Sequence, residues 1–220
     1  MKTLLGNGVY TISEAARLTR LQDSRVREWF RSRPGRTSGP LFKSDYESAS
    51  EQKIISFFDL IEVFIAGQLR QAGVSMPTVR QAHKNLQALF TVGHPFCHQE
   101  ICLHGKTVLT RGLDKHGEEE IRDALNSQKI FPEIIKPFLK SLDYHNMSQL
   151  AERWHIAEAV VINPAICFGQ PIAERAGVPT RILSRSYFAN GKDAGFVAQW
   201  FGVTTDDVNA SVAFESSLAA

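Results

Sequence analysis

The sequence predicts a mainly α fold with small β elements: a winged helix-turn-helix at the N-terminus and a trihelical, helix-turn-helix-like module at the C-terminus. Three observations predict it. Two short amphipathic segments meet at a tight junction in "YTISEAARLTRLQDSRVREWFRSRPGR", and arginine recurs through the second. A stretch of the same layout, "AGFVAQWFGVTTDDVNASVAFESS", stands near the other end without any arginine. Between them the apolar residues run at helical spacing, with only brief passages of strand-like alternation.

At 220 residues, with 43% hydrophobic and 22% charged side chains, the chain is expected to bury a core and fold as a globular protein. Its longest apolar stretch, "IISFFDLIEVFIAG", is interrupted by Asp59 and Glu62 and is too short to span a bilayer. The start, "MKTLLGNGVYT", lacks the apolar run of a secretory signal. Cys97, Cys102 and Cys167 form an odd set without framework spacing, so a reducing cytoplasm is expected. The net charge of +2 divides unevenly: residues 1–44 hold nine basic side chains against three acidic ones, +6, which leaves −4 on the other 176. A basic head on a mildly acidic body implies an anionic partner at one end.

Thr11, followed three residues later by Glu14, is a capping box that starts a helix at Ile12. Ile12, Ala15, Ala16 and Leu18 supply its apolar stripe. After "TRLQD" a second helix buries Val26, Trp29 and Phe30, which leaves Ser24, Arg25, Arg27, Glu28 and Arg31 outward. This is the helix-turn-helix order, whose second helix enters the major groove. Arginine suits that face because its planar fork holds guanine or phosphate with two hydrogen bonds. The loop "SRPGRTSGPLFK" adds Arg33, Arg36 and Lys43 as a wing against the backbone of double-stranded DNA. Arg20 stands in the turn where glycine is common, and Gln22 where Ser or Thr usually caps.

"FFDLIEVFIAGQLRQAGVSMPTVRQAHKNLQALF" predicts two helices joined at "AGVSMP". Phe58, Ile61, Ile65 and Leu69 line the first; Val79, Ala82, Leu86 and Leu89 line the second, with Ser75 as its cap and Pro77 in its first turn. Residues 10–90 thereby resemble the DNA-binding domain of MerR-type regulators, in which a winged helix-turn-helix precedes a second helical pair. "HPFCHQEICLHGKTVLTRG" shortens the period and predicts a β-hairpin. His98, Cys102 and His104 would share a face of its strand, yet the spacing fits no standard zinc site, and neither metal nor cofactor is expected. "GEEEIRDALNSQ" and "PEIIKPFLKSL" predict two more helices, the first opened by Glu118 to Glu120.

In the tail the strand "AVVIN" leads through "PAICFGQP" to "GVPT", which starts a helix. "AGFVAQWFGV" and "TTDDVNASVAFE" then form a helical hairpin whose second member is capped by Thr204 with Asp207. "INPAICFGQPIAERAGVPT" followed by "VAQWFGVTTDDVNASVAF" resembles the strand-and-trihelical module of VapB-like antitoxins, and the whole chain resembles the longer, two-domain members of that kind. The implied domains are 1–92 for DNA binding, 93–150 for a hairpin and connecting helices, and 151–220 for dimerisation and toxin contact. The implied partners are operator DNA, a PIN-type ribonuclease toxin and a second copy of the chain.

No basic residue follows Lys192, and Asp206 and Asp207 at a helix start would repel phosphates, so the tail is expected to contact protein. Many such antitoxins end in a segment whose arginine enters the toxin; this chain ends "AFESSLAA", and the contact is expected from a surface bearing Arg181 and Arg185. The alternative is a stand-alone MerR-like regulator that responds to a ligand. An enzyme is not expected. G-x-S-x-G, H-E-x-x-H, P-loop and G-x-G-x-x-G motifs are missing, Asp206 and Asp207 diverge by about 100° on a helix, and Cys167 reads as a small buried hydrophobe.

Overall fold

Local capping fixes where the helices begin. The computed structural model describes residues 6–32, 39–46, 53–101, 109, 113–127 and 140–219. They form a mainly helical protein with small antiparallel sheets. The backbone groups into two units, Tyr10–Ala151 and Glu152–Ala220 together with Lys2–Val9; residues 93–150 group with the first.

In the first unit β1 (Tyr10–Thr11) runs into α1 (Ile12–Thr19), where Thr11 and Glu14 make the expected reciprocal box. α2 (Asp23–Trp29) follows, then β2 (Ile54–Ile55), which pairs antiparallel with β1 through Tyr10↔Ile55. Ser56 and Asp59 box the start of α3 (Phe57–Gln71). Ser75 caps α4 (Met76–Phe90), with Pro77 in its first turn. Ile61, Ile65, Leu69, Val79, Ala82 and Leu86 are fully buried between these helices, whereas Leu89 faces outward at 40% exposure. α5 (Lys115–Ser127) sends Glu120 to the start of α4, where its carboxylate accepts hydrogen bonds from Ser75 N–H and Oγ and from the Thr78 hydroxyl. A carboxylate there answers the positive end of the helix dipole. β3 (Leu142–Tyr144) closes the unit.

The hairpin expected from His94 onward is not formed by the residues described there. Pro95–Cys97 is a 3-10 turn, closed by Cys97 N–H to His94 O and His98 N–H to Pro95 O, and residues 99–101 are helical. Pro95 fixes the φ that opens a helical turn, and Pro95, Phe96 and Cys97 are all buried, so no alternation of faces exists. Cys102 and His104 lie outside the described residues, as do residues 132–139 of the helix expected around "PEIIKPFLKSL", whose Leu142 instead begins β3.

The second unit is a small sheet followed by three helices. β4 (Ala151–Ala157), β5 (Val160–Ile162) and β6 (Pro171–Ala173) are antiparallel, in register at Trp154↔Ile162 and Val161↔Ile172. α6 (Thr180–Ala189), α7 (Ala194–Phe201) and α8 (Thr205–Ala219) enclose Ala173, Leu183, Val197 and Val208. Thr180 donates from its hydroxyl to Glu215 Oε1 at 2.6 Å, joining α6 to α8. At the start of α8, Asp207 N–H donates to Thr204 Oγ1 at 3.1 Å and Asp207 Oδ2 accepts Thr204 N–H at 3.0 Å. Replacing Thr204 by Ala is expected to destabilise this unit by about 1–2 kcal/mol, seen as an earlier denaturant midpoint, because the buried Asp207 carboxylate loses the hydroxyl that bonds it.

Candidate nucleic-acid interface

The junction between α1 and α2 is held open by backbone geometry. Arg20 takes the left-handed conformation at φ 56, the place where glycine is common. Leu21 N–H then donates to Ala16 O at 2.9 Å, and the Leu21 side chain lies against Gly67 of α3. A methyl group at residue 67 would come within 2.7 Å of that leucine, so the glycine makes room for the turn. Gln22 precedes α2 without a side-chain cap. Asp23 instead accepts the Ser13 hydroxyl at 2.5 Å, which ties the two helices together. Hydrogen bonds from Ser13 and then Arg27 hold the Asp23 carboxyl below the usual range.

Val26, Trp29 and Phe30 are buried as expected, at 0, 3 and 1% exposure, and this orients the opposite side of the helix. Ser24, Arg25, Arg27 and Arg31 are exposed and Glu28 is half-buried. Arg27 pairs with Asp23 at 2.6 Å, one turn back. Such an exposed pair is worth only about 0.3–0.5 kcal/mol, too little to withhold the guanidinium from a phosphate or a base edge.

The returning limb of the loop is fastened to α2. Leu41 and Phe42 N–H both donate to Trp29 O, at 2.8 and 3.1 Å, and Arg80 of α4 donates to Pro40 O at 2.8 Å. The Phe42 ring meets Trp29 edge-on at 6.2 Å and Phe30 at 5.7 Å. Lys43 is therefore exposed on an anchored backbone beside α2. Arg33 and Arg36 lie outside the described residues.

In the second unit Arg181 and Arg185 are exposed one turn apart on α6, beside the exposed Ile182 and Phe188. Asp206 is exposed, but Asp207 is only 3% exposed and its carboxylate is taken up by Thr204, which removes it from any contact surface. Cys167 is exposed rather than buried: it and Phe168 both have left-handed φ, 47 and 56, and the turn carries them outward. Sequence reasoning passed over Phe196 and Trp200, which stack 6.1 Å apart on the outside of α7, Trp200 being 74% exposed. The signal was present. "AGFVAQWF" is apolar nearly all round, more than one buried face of a short helix can use.

His98, considered above as a metal ligand, stacks on Phe90 at 4.2 Å and accepts Glu100 N–H at Nδ1. Among the described residues no helix is long and apolar enough to cross a membrane.

The chain is similar in fold to the crystal structure of Rv2018 from Mycobacterium tuberculosis, with a TM-score of 0.72 and 21% identity over 92% of this chain and 96% of that one. Identity at that level speaks for the fold alone. No family model and no curated protein matches the chain.

Proposed function

We propose that this protein is the antitoxin of a type II toxin–antitoxin pair: it represses its own operon through the first unit and neutralises a PIN-type ribonuclease through the second. One observation carries the DNA-binding half. Arg25 and Arg27 stand outward on a short helix whose other side, Val26 and Trp29, is sealed in the core, with Arg31 exposed just past its end and Lys43 on an anchored loop beside it. A helix so presented puts planar cationic forks where base edges and phosphates are met. A homodimer is part of the reading, since helix-turn-helix proteins pair two half-sites. The resemblance of the tail to VapB-like modules supports the antitoxin half, with Arg181, Arg185 and Asp206 on the surface offered to the toxin.

Arg27→Ala is expected to weaken specific operator binding by about 1–3 kcal/mol, whereas Arg36→Ala weakens all sequences alike and reduces the salt slope by about 1. Titrations of both variants at two ionic strengths test the assignment, and behaviour indistinguishable from the parent rejects it. For the toxin half, the chain is co-expressed with the product of the adjacent gene and weighed by native mass spectrometry. A complex with a small PIN-type nuclease is the expected result. A chain that emerges alone, with operator binding intact, rejects the antitoxin reading in favour of a stand-alone regulator.

A further inference from the structure

Three segments of the first unit converge on one buried polar cluster. α3 contributes Asp59 and Glu62, one turn apart; the anchored loop contributes Asp45; the turn after α4 contributes His94. Asp59 is fully buried, and its two oxygens are used unequally. Oδ2 accepts Ser56 N–H at 3.0 Å and Asp45 N–H at 3.2 Å, while Oδ1 has no hydrogen-bond partner. His94 is placed in the same way. Its Nε2 lies 3.1 Å from Asp45 Oδ2, but its buried Nδ1 has no hydrogen-bond partner, at 3.9 Å from Asp59 Oδ1 and 3.6 Å from Glu62 Oε2. Two orphaned buried groups facing each other across such a gap would each lose their hydration without replacement.

We propose that Asp45, Asp59 and His94 bind a divalent cation of the zinc or manganese type, with the Glu62 carboxylate 3.6 Å from the imidazole adding negative charge beside it. The ligand atoms of the three residues lie within 4.8 Å of one another. Donor atoms held at about 2.1 Å by one tetrahedral ion stand about 3.4 Å apart, so the site closes by an ångström or so on loading. Two carboxylates and one imidazole form a borderline-hard donor set. It is poorer for calcium and magnesium, which take oxygen alone, and for copper(I), which takes sulfur. The nearby thiol, Cys97, is turned away, donating to Phe58 O at 3.3 Å. Three carboxylates, Asp45, Asp59 and Glu62, stand about the His94 ring, and His83 is already engaged with both oxygens of Glu62 at 3.1 and 3.0 Å. Such an ion would join the loop that carries Lys43 to α3.

The test uses the full-length chain, stripped with chelator and dialysed against zinc chloride or manganese chloride. One ion retained per chain, with a melting temperature that rises with the logarithm of free zinc, is the expected result. Asp59→Asn is the informative variant. It keeps an oxygen for the Ser56 and Asp45 amides and removes a charge that burial disfavours, so it folds, and its zinc affinity is expected to fall at least 100-fold. His155→Ala, on the half-exposed imidazole paired with Glu174, serves as a control that leaves affinity unchanged. Stoichiometric zinc that survives Asp59→Asn, or no zinc or manganese retained by the parent, overturns the proposal. Cobalt titration of the parent adds a reading free of any variant, since a thiolate charge-transfer band would place the ion on cysteine and overturn it equally.

Discussion

Replacing Glu62 by Gln is expected to destabilise the first unit by about 3 kcal/mol, although no side-chain volume is lost. Glu62 is 1% exposed, accepts hydrogen bonds from His83 Nε2 at 3.0 Å and Phe96 N–H at 3.2 Å, and faces the His94 ring at 3.6 Å. Burial pushes its carboxyl up, but the charge and hydrogen bond of His83, with the nearby His94 ring, outweigh this and hold it below the usual range. Taking one member from such a network leaves a buried charge uncompensated, the situation in which ion pairs matter most. The same variant is expected to flatten the pH dependence of stability, measured with chelator present. Burial alone would pull His94 down, yet Asp45, Glu62 and Asp59 push it up from 6.5 to about 10. Its contribution is fully present below pH 6.5 and is lost as pH rises towards 10. Burial pushes Asp59 up from 3.8 to about 6 against the pull of His94, so stability also falls as pH rises through that lower window. Tyr46 and Lys53 share the surroundings without a contribution from Glu62, whereas the Cys97 thiol, pushed up by burial and then by the Glu62 charge, loses that second push. Urea midpoints of parent and variant from pH 5 to 9.5 check both statements. Parallel curves would show that Glu62 does not set the imidazole's charge.

What the sequence made legible was local. The Thr11–Glu14 and Thr204–Asp207 boxes, the Ser75–Pro77 start and the Val26, Trp29, Phe30 face each depend on residues within one turn of one another. Short-range rules of capping and spacing describe such signals completely. The polar cluster was not legible for the opposite reason. Asp59 and Glu62 read as interruptions of an apolar run, and their partners lie far along the chain: His83 is 21 residues and Phe96 is 34 residues from Glu62. Glu120 likewise read only as part of the acidic opening of its own helix, whereas it caps another helix 45 residues away at Ser75. The turn at Pro95–Cys97 misled because an apolar residue beside a polar one looks like alternation until a third buried neighbour shows that both faces are covered. In the candidate interface the outward set on α2 was readable, since burying one face of a helix determines the other. Asp207 was assigned to a surface because its capping role, although recognised, was not carried through to its burial.

Replacing Phe42 by Ala is expected to be at least as damaging, about 3–5 kcal/mol, and to reach function as well as stability. Phe42 is 2% exposed and packs against Trp29, Phe30 and His83, the last at 5.3 Å between ring centres. It thereby joins the buried side of α2, the returning loop and α4. The cavity left by its ring would be lined by these three rings, which cannot collapse without moving the backbone they hold. Since Leu41 and Phe42 N–H both donate to Trp29 O, a loop that shifts takes Lys43 away from Arg27 and Arg31. Operator affinity is therefore expected to fall by more than the unfolded fraction explains, even at low temperature where the variant is folded. The comparison requires one series of denaturant curves and one of titrations on the same samples. A loss of stability with undiminished affinity of the folded fraction would separate the loop from recognition, leaving the arginines of α2 to act without it.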